Sequence, residues 1–136
     1  MRRAVLDTNV FVSALITPAG ASAKLVEEMG TGGLEVIASP RLLAELEAVL
    51  GRQKFRRYFD AVAGPKFVGL LRRDAVIAPD PDEPAPLRSV DPQDDYLLAL
   101  AYSQSARLVS GDSHLLDLAA VAPICSPADF VVGAPA

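Results

Sequence analysis

The chain has 136 residues, of which 51% are hydrophobic and 22% charged, and its formal net charge is −4. That length allows one domain with a core of its own, and the composition is globular, not disordered. The negative charge excludes a uniformly basic nucleic-acid binder; the one cysteine, Cys125, excludes a disulfide scaffold and a cysteine-based zinc site and fits a reducing compartment; the lack of tryptophan leaves few stacking platforms for bases.

Ala4-Val5-Leu6 predicts a short buried strand that ends at Asp7. No run reaches the roughly 18 apolar residues of a membrane span. The apolar run after Met1-Arg2-Arg3 meets Asp7 too soon for a secretory leader, so a cytoplasmic protein with no membrane partner is expected. Asn9 to Ile16 predicts a helix capped by Thr8, and Pro18-Ala19-Gly20 breaks the chain. A second helix is expected over Ser22–Met29, closed by Gly30, Gly32 and Gly33. Leu34–Ala38 is the second strand. Ser39-Pro40 then reads as a cap with proline at the first helical position. The helix over Pro40–Leu50 carries Leu42, Leu43, Leu46, Val49 and Leu50 on one face and ends at Gly51.

A basic helical stretch is expected from about Phe55 to Arg72, broken near Gly64-Pro65, followed by a third strand over Asp74–Ala78. Pro79 to Pro92 holds five prolines and predicts an extended acidic loop. Asp91-Pro92 opens the next helix, which runs through Tyr96 to Tyr102 and is apolar nearly all round, hence buried. A fourth strand over Arg107–Ser110 ends at Gly111-Asp112. A short helix over Ser113–Leu118, a last strand near Ala122–Cys125 and a turn at Ser126–Asp129 complete the chain. Strands alternating with helices predict an α/β sandwich on a mostly parallel sheet. Ligands of such sheets bind beyond the carboxyl ends of the strands, where Asp7 and Asp112 both stand.

Charge is unevenly spread. Residues 1–73 carry 11 Lys/Arg against 7 Asp/Glu, whereas residues 74–136 carry 2 against 10. Arg52, Lys54, Arg56 and Arg57 head a basic stretch that reads either as a solvated face or as a surface attracting an anionic polymer. A carboxylate touching a buried strand costs desolvation unless it is paired, hydrogen-bonded or metal-bound, which singles out Asp7. Asp94 is explained as a helix-start residue favoured by the exposed N–H groups, and Asp95 less so, which makes Asp95 the stronger candidate for chemistry. Glu45 and Glu47 lie about 100° to either side of their helix's apolar direction, and periodicity does not choose between them. Clustered carboxylates need cations, and all-oxygen ligation suits Mg²⁺ or Mn²⁺. No phosphate-cradling glycine loop and no GxSxG elbow is present. His114 is the only histidine, so a two-histidine metal site is excluded, and Cys125 reads as core.

The run from Val5 to Leu15, VLDTNVFVSAL, resembles the opening of the PIN domain, the PilT N-terminal nuclease domain. The likeness continues through SPRLLAELEAVL at 39–50, DPQDDYLLALA at 91–101, LVSGDSHLL at 108–116 and SPADF at 126–130. The subgroup it resembles is that of the toxins of toxin–antitoxin systems. The resemblance implies one PIN-like nuclease domain over 1–136, a three-layer α/β/α sandwich with a mostly parallel five-stranded sheet. It implies a Mg²⁺- or Mn²⁺-dependent endoribonuclease whose catalytic and metal-ligating acids are Asp7, Glu45, Asp95 and Asp112. Glu45 is chosen over Glu47 by the motif alone. Asn9 and Ser110 match supporting polar positions, with Asp94 beside them. Arg52, Lys54, Arg56 and Arg57 are then expected to hold RNA phosphates, a small antitoxin is the expected protein partner, and a homodimer the expected assembly. Relatives often carry a second Asp where His114 stands; a histidine there favours a single tightly held ion and Mn²⁺ over Mg²⁺. The alternative is a catalytically silent PIN-like binding module controlled by a protein partner. A receiver or Asp-nucleophile phosphatase is disfavoured by Asn9, two residues after Asp7, and by the lack of lysine after Lys66.

Overall fold

The five apolar runs read as strands pair side by side into one sheet. A computed structural model describes residues 2–86 and 94–131. They form β1 (Arg2–Leu6), α1 (Thr8–Ile16), α2 (Ala21–Thr31), β2 (Leu34–Ala38), α3 (Pro40–Leu50), α4 (Ala63–Asp74), β3 (Val76–Ile77), α5 (Asp95–Ser103), β4 (Arg107–Val109), α6 (Ser113–Leu116), β5 (Ile124–Cys125) and α7 (Pro127–Val131). Every strand pairing is parallel, and the order is β3-β2-β1-β4-β5. β1 is therefore central, flanked by Val5↔Ile37 on one side and Val5↔Leu108 on the other. Its Ala4, Val5 and Leu6 are fully buried, as the apolar run requires of a strand covered on both faces.

Parallel neighbours are joined by right-handed crossovers. Chain order then puts α1 to α4 on one face and α5 and α6 on the other; α7 packs on α2 and joins the first layer. α1 packs on α2 and α3, and α3 packs on α4. Phe11 of α1 meets Phe67 of α4 edge-on, ring centres 5.8 Å apart. On the opposite face α5 packs against β1 and β4, and six consecutive residues, Tyr96 to Ala101, are buried. That fulfils the expectation from a helix apolar all round. Among the described residues no single helix is long and apolar enough to cross a membrane.

Local chemistry sets the boundaries. Ser39 Oγ accepts from Leu42 N at 3.2 Å and Pro40 opens α3, as the cap-then-proline pattern predicts. Gly32, at φ 86°, closes α2 in the left-handed region where a Cβ is penalised. Three expectations need correction. Thr8 is not the cap of α1: Asp7 holds that position, but its carboxylate is engaged elsewhere and does not cap. The basic stretch is not helical from Phe55. Gln53–Phe55 is one 3₁₀ turn, turns follow, and the helix begins only at Ala63. Gly64-Pro65 therefore opens α4 instead of breaking it, since a first helical turn has no use for the proline's missing N–H. The third strand is also shorter than expected, because α4 runs on to Asp74. Asp91 and Pro92, read as the start of the α5 helix, lie outside the described residues.

The connection after β1 leads toward β2 and the one after β4 leads toward β5, so the chain leaves these neighbouring strands in opposite directions. A crevice opens at their carboxyl ends. Leu46, fully buried on α3 next to Glu45, ties that helix to the core. Leu46→Ala should lower unfolding free energy by about 2–5 kcal/mol, read as a lower urea midpoint at unchanged m-value; a loss below ~1 kcal/mol would show that α3 is not anchored there.

Candidate active site

Asp7 follows the last residue of β1. Its N–H donates to Val109 O of β4 at 3.0 Å, extending the ladder one step past the strand. That register holds the side chain at the β1–β4 crevice, where the residue is only 4% exposed. Ser110, the first residue after β4 and fully buried, donates from Oγ to Asp7 Oδ2 at 2.8 Å. Thr8 Oγ1 donates to Asp7 Oδ1 at 3.2 Å. Both oxygens of the buried carboxylate are thus met by hydroxyls. Among the described residues no lysine or arginine forms an ion pair with it.

Ser110 Oγ also accepts the backbone N–H of Asp112 at 3.0 Å. One hydroxyl therefore joins the acids at the ends of two strands. Asp112 Oδ1 in turn accepts from His114 N at 2.8 Å and caps α6, and His114 Nδ1 stands 4.0 Å from the same oxygen. His114 itself is exposed. Asn9 is exposed on the first turn of α1, and its side chain makes no hydrogen bond among the described residues.

Glu45 and Glu47 are both exposed on α3, but among the described residues only Glu45 is met by another element. The hydroxyl of buried Tyr96 on α5 donates to Glu45 Oε2. The Arg41 guanidinium, one turn before Glu45, lies over the Tyr96 ring, 4.1 Å from its centre. The backbone N–H of Arg41 donates to Asp80 Oδ2 at 3.1 Å, so the acidic loop after β3 helps to cap α3. Burial, then the hydrogen bond and charge of Glu45, then the charge of Asp7, push the Tyr96 phenol well above the usual tyrosine range. Asp7 and Glu45 thus act on the same ring from two layers. Asp94 and Asp95 stand half-buried at the start of α5. Asp95 lines a cleft of about 380 Å³ with Arg41, Tyr96 and the loop residues Asp82 and Glu83.

Sequence reasoning missed Tyr96, Arg41 and Asp80. Tyr96 did leave a signal: a tyrosine inside an otherwise apolar buried helix needs a partner for its hydroxyl. Asp80 left none, because a loop residue's cap partner is set by tertiary placement.

The four basic residues divide. Arg56 donates to Leu50 O at 2.6 Å and to Arg52 O and Phe59 O at 3.3 and 3.4 Å, clasping the carboxyl end of α3. Arg57 is exposed, bonded to Tyr58 Oη at 2.7 Å. Lys54 lies 5.1 Å from the centre of the Phe55 ring, and Arg52 is exposed. Lys54, Arg56 and Arg57 line an open groove of about 710 Å³ with Phe55, Tyr58 and Ile16.

An all-parallel β3-β2-β1-β4-β5 sheet with acids at the carboxyl ends of β1 and β4 defines the PIN-like class of α/β domain. The PIN domain profile matches residues 3–114, and the chain belongs to the PIN domain family. PIN domains are generally nucleases, and they generally use divalent metal ions. The structure is similar to that of VapBC2 from Rickettsia felis bound to a DNA fragment from its promoter, at 13% identity, covering 91% of this chain and 98% of that one, with a TM-score of 0.63. It is similar to PAE2754 from Pyrobaculum aerophilum at 16% identity, 97% and 88% coverage and a TM-score of 0.63. VapBC-1 from nontypeable Haemophilus influenzae matches at 16% identity, 93% and 98% coverage and the same TM-score. At these identities the likeness is one of fold. No curated protein matches the sequence.

The donors present suit a hard divalent ion: carboxylate and hydroxyl oxygens, with no thiolate and no imidazole pair. Among the described residues the buried Asp7 carboxylate is compensated only by neutral hydroxyls, a donor set that suits a cation. Among the described residues no three acidic or histidine side chains already converge on one point.

Ser110→Ala deletes the donor to Asp7 and the acceptor for Asp112 N together. It should cost about 1–3 kcal/mol in urea unfolding; a neutral change would mean the hydroxyl bridge is dispensable. Arg56→Met should destabilise by about 1–2 kcal/mol through the carbonyls it leaves, whereas Arg57→Met should stay within ~0.5 kcal/mol. Equal effects in the two would contradict the division.

Proposed function

We propose that the chain is a metal-dependent endoribonuclease hydrolysing RNA phosphodiesters, the toxin of a toxin–antitoxin pair, acting in the cytoplasm as a homodimer with a small antitoxin as its partner. The observation that carries this reading is the buried Asp7 carboxylate at the β1–β4 crevice, compensated among the described residues by the Ser110 and Thr8 hydroxyls. Membership of a family of nucleases supports hydrolysis, and the likeness of fold to the VapBC structures supports the toxin–antitoxin assignment.

On this reading Asp7, Asp95 and Asp112 hold the metal and Glu45 completes the set and orients the attacking water. Mg²⁺ or Mn²⁺, when bound, lowers the pKa of that water and offsets charge at the phosphodiester. Ser110 fixes the Asp7 rotamer and the turn that presents Asp112. The apolar ends of β1 and β4 keep the Asp7 carboxylate in a poorly hydrated setting, where its charge acts strongly. Arg52 lies just past the end of α3, the helix that carries Glu45. Arg52, Lys54 and Arg57 hold phosphates there, and Arg56 contributes by keeping the turn in shape.

Calorimetric titration of Mn²⁺ into the wild type and an Asp7→Asn, Asp95→Asn double variant, with RNA cleavage on the same samples, tests the assignment. The wild type should bind and cleave and the variant should do neither. A wild type that binds no ion and cleaves no RNA would overturn the reading, and one that binds the ion without cleaving would favour the silent, partner-controlled module. Arg52→Glu with Arg57→Glu should weaken RNA binding and flatten its dependence on salt; an unchanged slope would make the stretch a solvated face.

A further inference from the structure

Tyr96 is the buried polar group that the proposed chemistry leaves without a task. Its hydroxyl donates to Glu45 Oε2, and its ring is covered by the Arg41 guanidinium at 4.1 Å. Arg41 is itself tied through its backbone N–H to Asp80. The ring belongs to the buried face of α5, so its direction is set by the core and not by Glu45.

A carboxylate with one oxygen held by a fixed donor presents the other to a cation. Mg²⁺ demands near-octahedral coordination and takes carboxylates through single oxygens, and Mn²⁺ is served by the same six-oxygen geometry. Ca²⁺ accepts six to eight oxygens and often takes a carboxylate through both. Resting on the reading of Glu45 as a metal ligand, we infer that Tyr96 is a specificity-determining positioning residue: by holding Oε2 of Glu45 it presents Oε1 alone and favours Mg²⁺ or Mn²⁺ over Ca²⁺. Arg41 assists by steadying the ring. In Tyr96→Phe the ring stays in the core while both Glu45 oxygens become free to swing and to bind in pairs.

Separate calorimetric titrations of Mn²⁺ and Ca²⁺ into wild type, Tyr96→Phe, Arg41→Met and Glu45→Gln test this, with a thermal melt of each to establish folding. Tyr96→Phe should weaken Mn²⁺ binding about tenfold, as loss of a partner behind a ligand does. Ca²⁺ binding should hold or tighten, so the ratio of the two affinities moves toward Ca²⁺ by a similar factor. Arg41→Met, which keeps the hydroxyl, should shift the ratio in the same direction by less. A Tyr96→Phe protein with an unchanged ratio, alongside a Glu45→Gln protein that binds Mn²⁺ more weakly, overturns the inference and leaves the nuclease reading standing. A Glu45→Gln protein with undiminished Mn²⁺ affinity overturns both, because Glu45 is then no ligand.

Discussion

Asp7 loses nearly all contact with water at the end of the central strand, and a carboxyl group so placed must be compensated by the fold. Its oxygens receive Ser110 and Thr8 hydroxyls, and its N–H extends the β1–β4 ladder to Val109. These bonds require that β4 lie beside β1 in the register observed. They require that Ser110 be buried and that the turn carrying Asp112 start immediately after it. Replacing the carboxylate by an apolar group would relieve the desolvation but leave the Ser110 and Thr8 hydroxyls without their acceptor. The site and the sheet register are therefore one construction.

A second joint spans the sheet. α3 belongs to the layer built on α1 and α4, and α5 belongs to the opposite layer, yet Tyr96 meets Glu45 across the carboxyl edge of the strands. The acidic loop after β3 reinforces this joint by capping α3 through Asp80. Asp7 in the middle acts on the same tyrosine. Ser110 after β4 thus binds Asp7 after β1, and Tyr96 of α5 binds Glu45 of α3, near the place where the strand order reverses, the position where open α/β sheets bind their ligands.

Much of this was legible in the sequence because it rests on local chemistry. The runs Ala4–Leu6, Leu34–Ala38 and Arg107–Val109 are too short and too apolar for anything but buried strands between helices, and Ser39-Pro40 and Gly51 bound α3 as written. The basic stretch misled because residues 56–62 carry no breaker before Gly64-Pro65. Their path is set by Arg56 reaching back to Leu50 O, a contact that helical periodicity does not encode. The choice between Glu45 and Glu47 was likewise invisible to periodicity, since both flank the apolar face. What separates them is a tyrosine fifty-one residues away. Asp7 and Asp112 were identifiable as strand-end acids, but the hydroxyl that joins them, Ser110, acquires its role only once β4 pairs with β1.

The Asp7 crevice is proposed as a divalent-cation centre. Its most direct test is a crystal grown with Mn²⁺ and measured at a wavelength where manganese scatters anomalously. The account predicts a strong anomalous peak bonded to the Asp7 carboxylate, with further oxygens drawn from Glu45, Asp95 or Asp112. Peaks confined to the surface acids at 80–83, with Asp7 still bound only by Ser110 and Thr8, would contradict it.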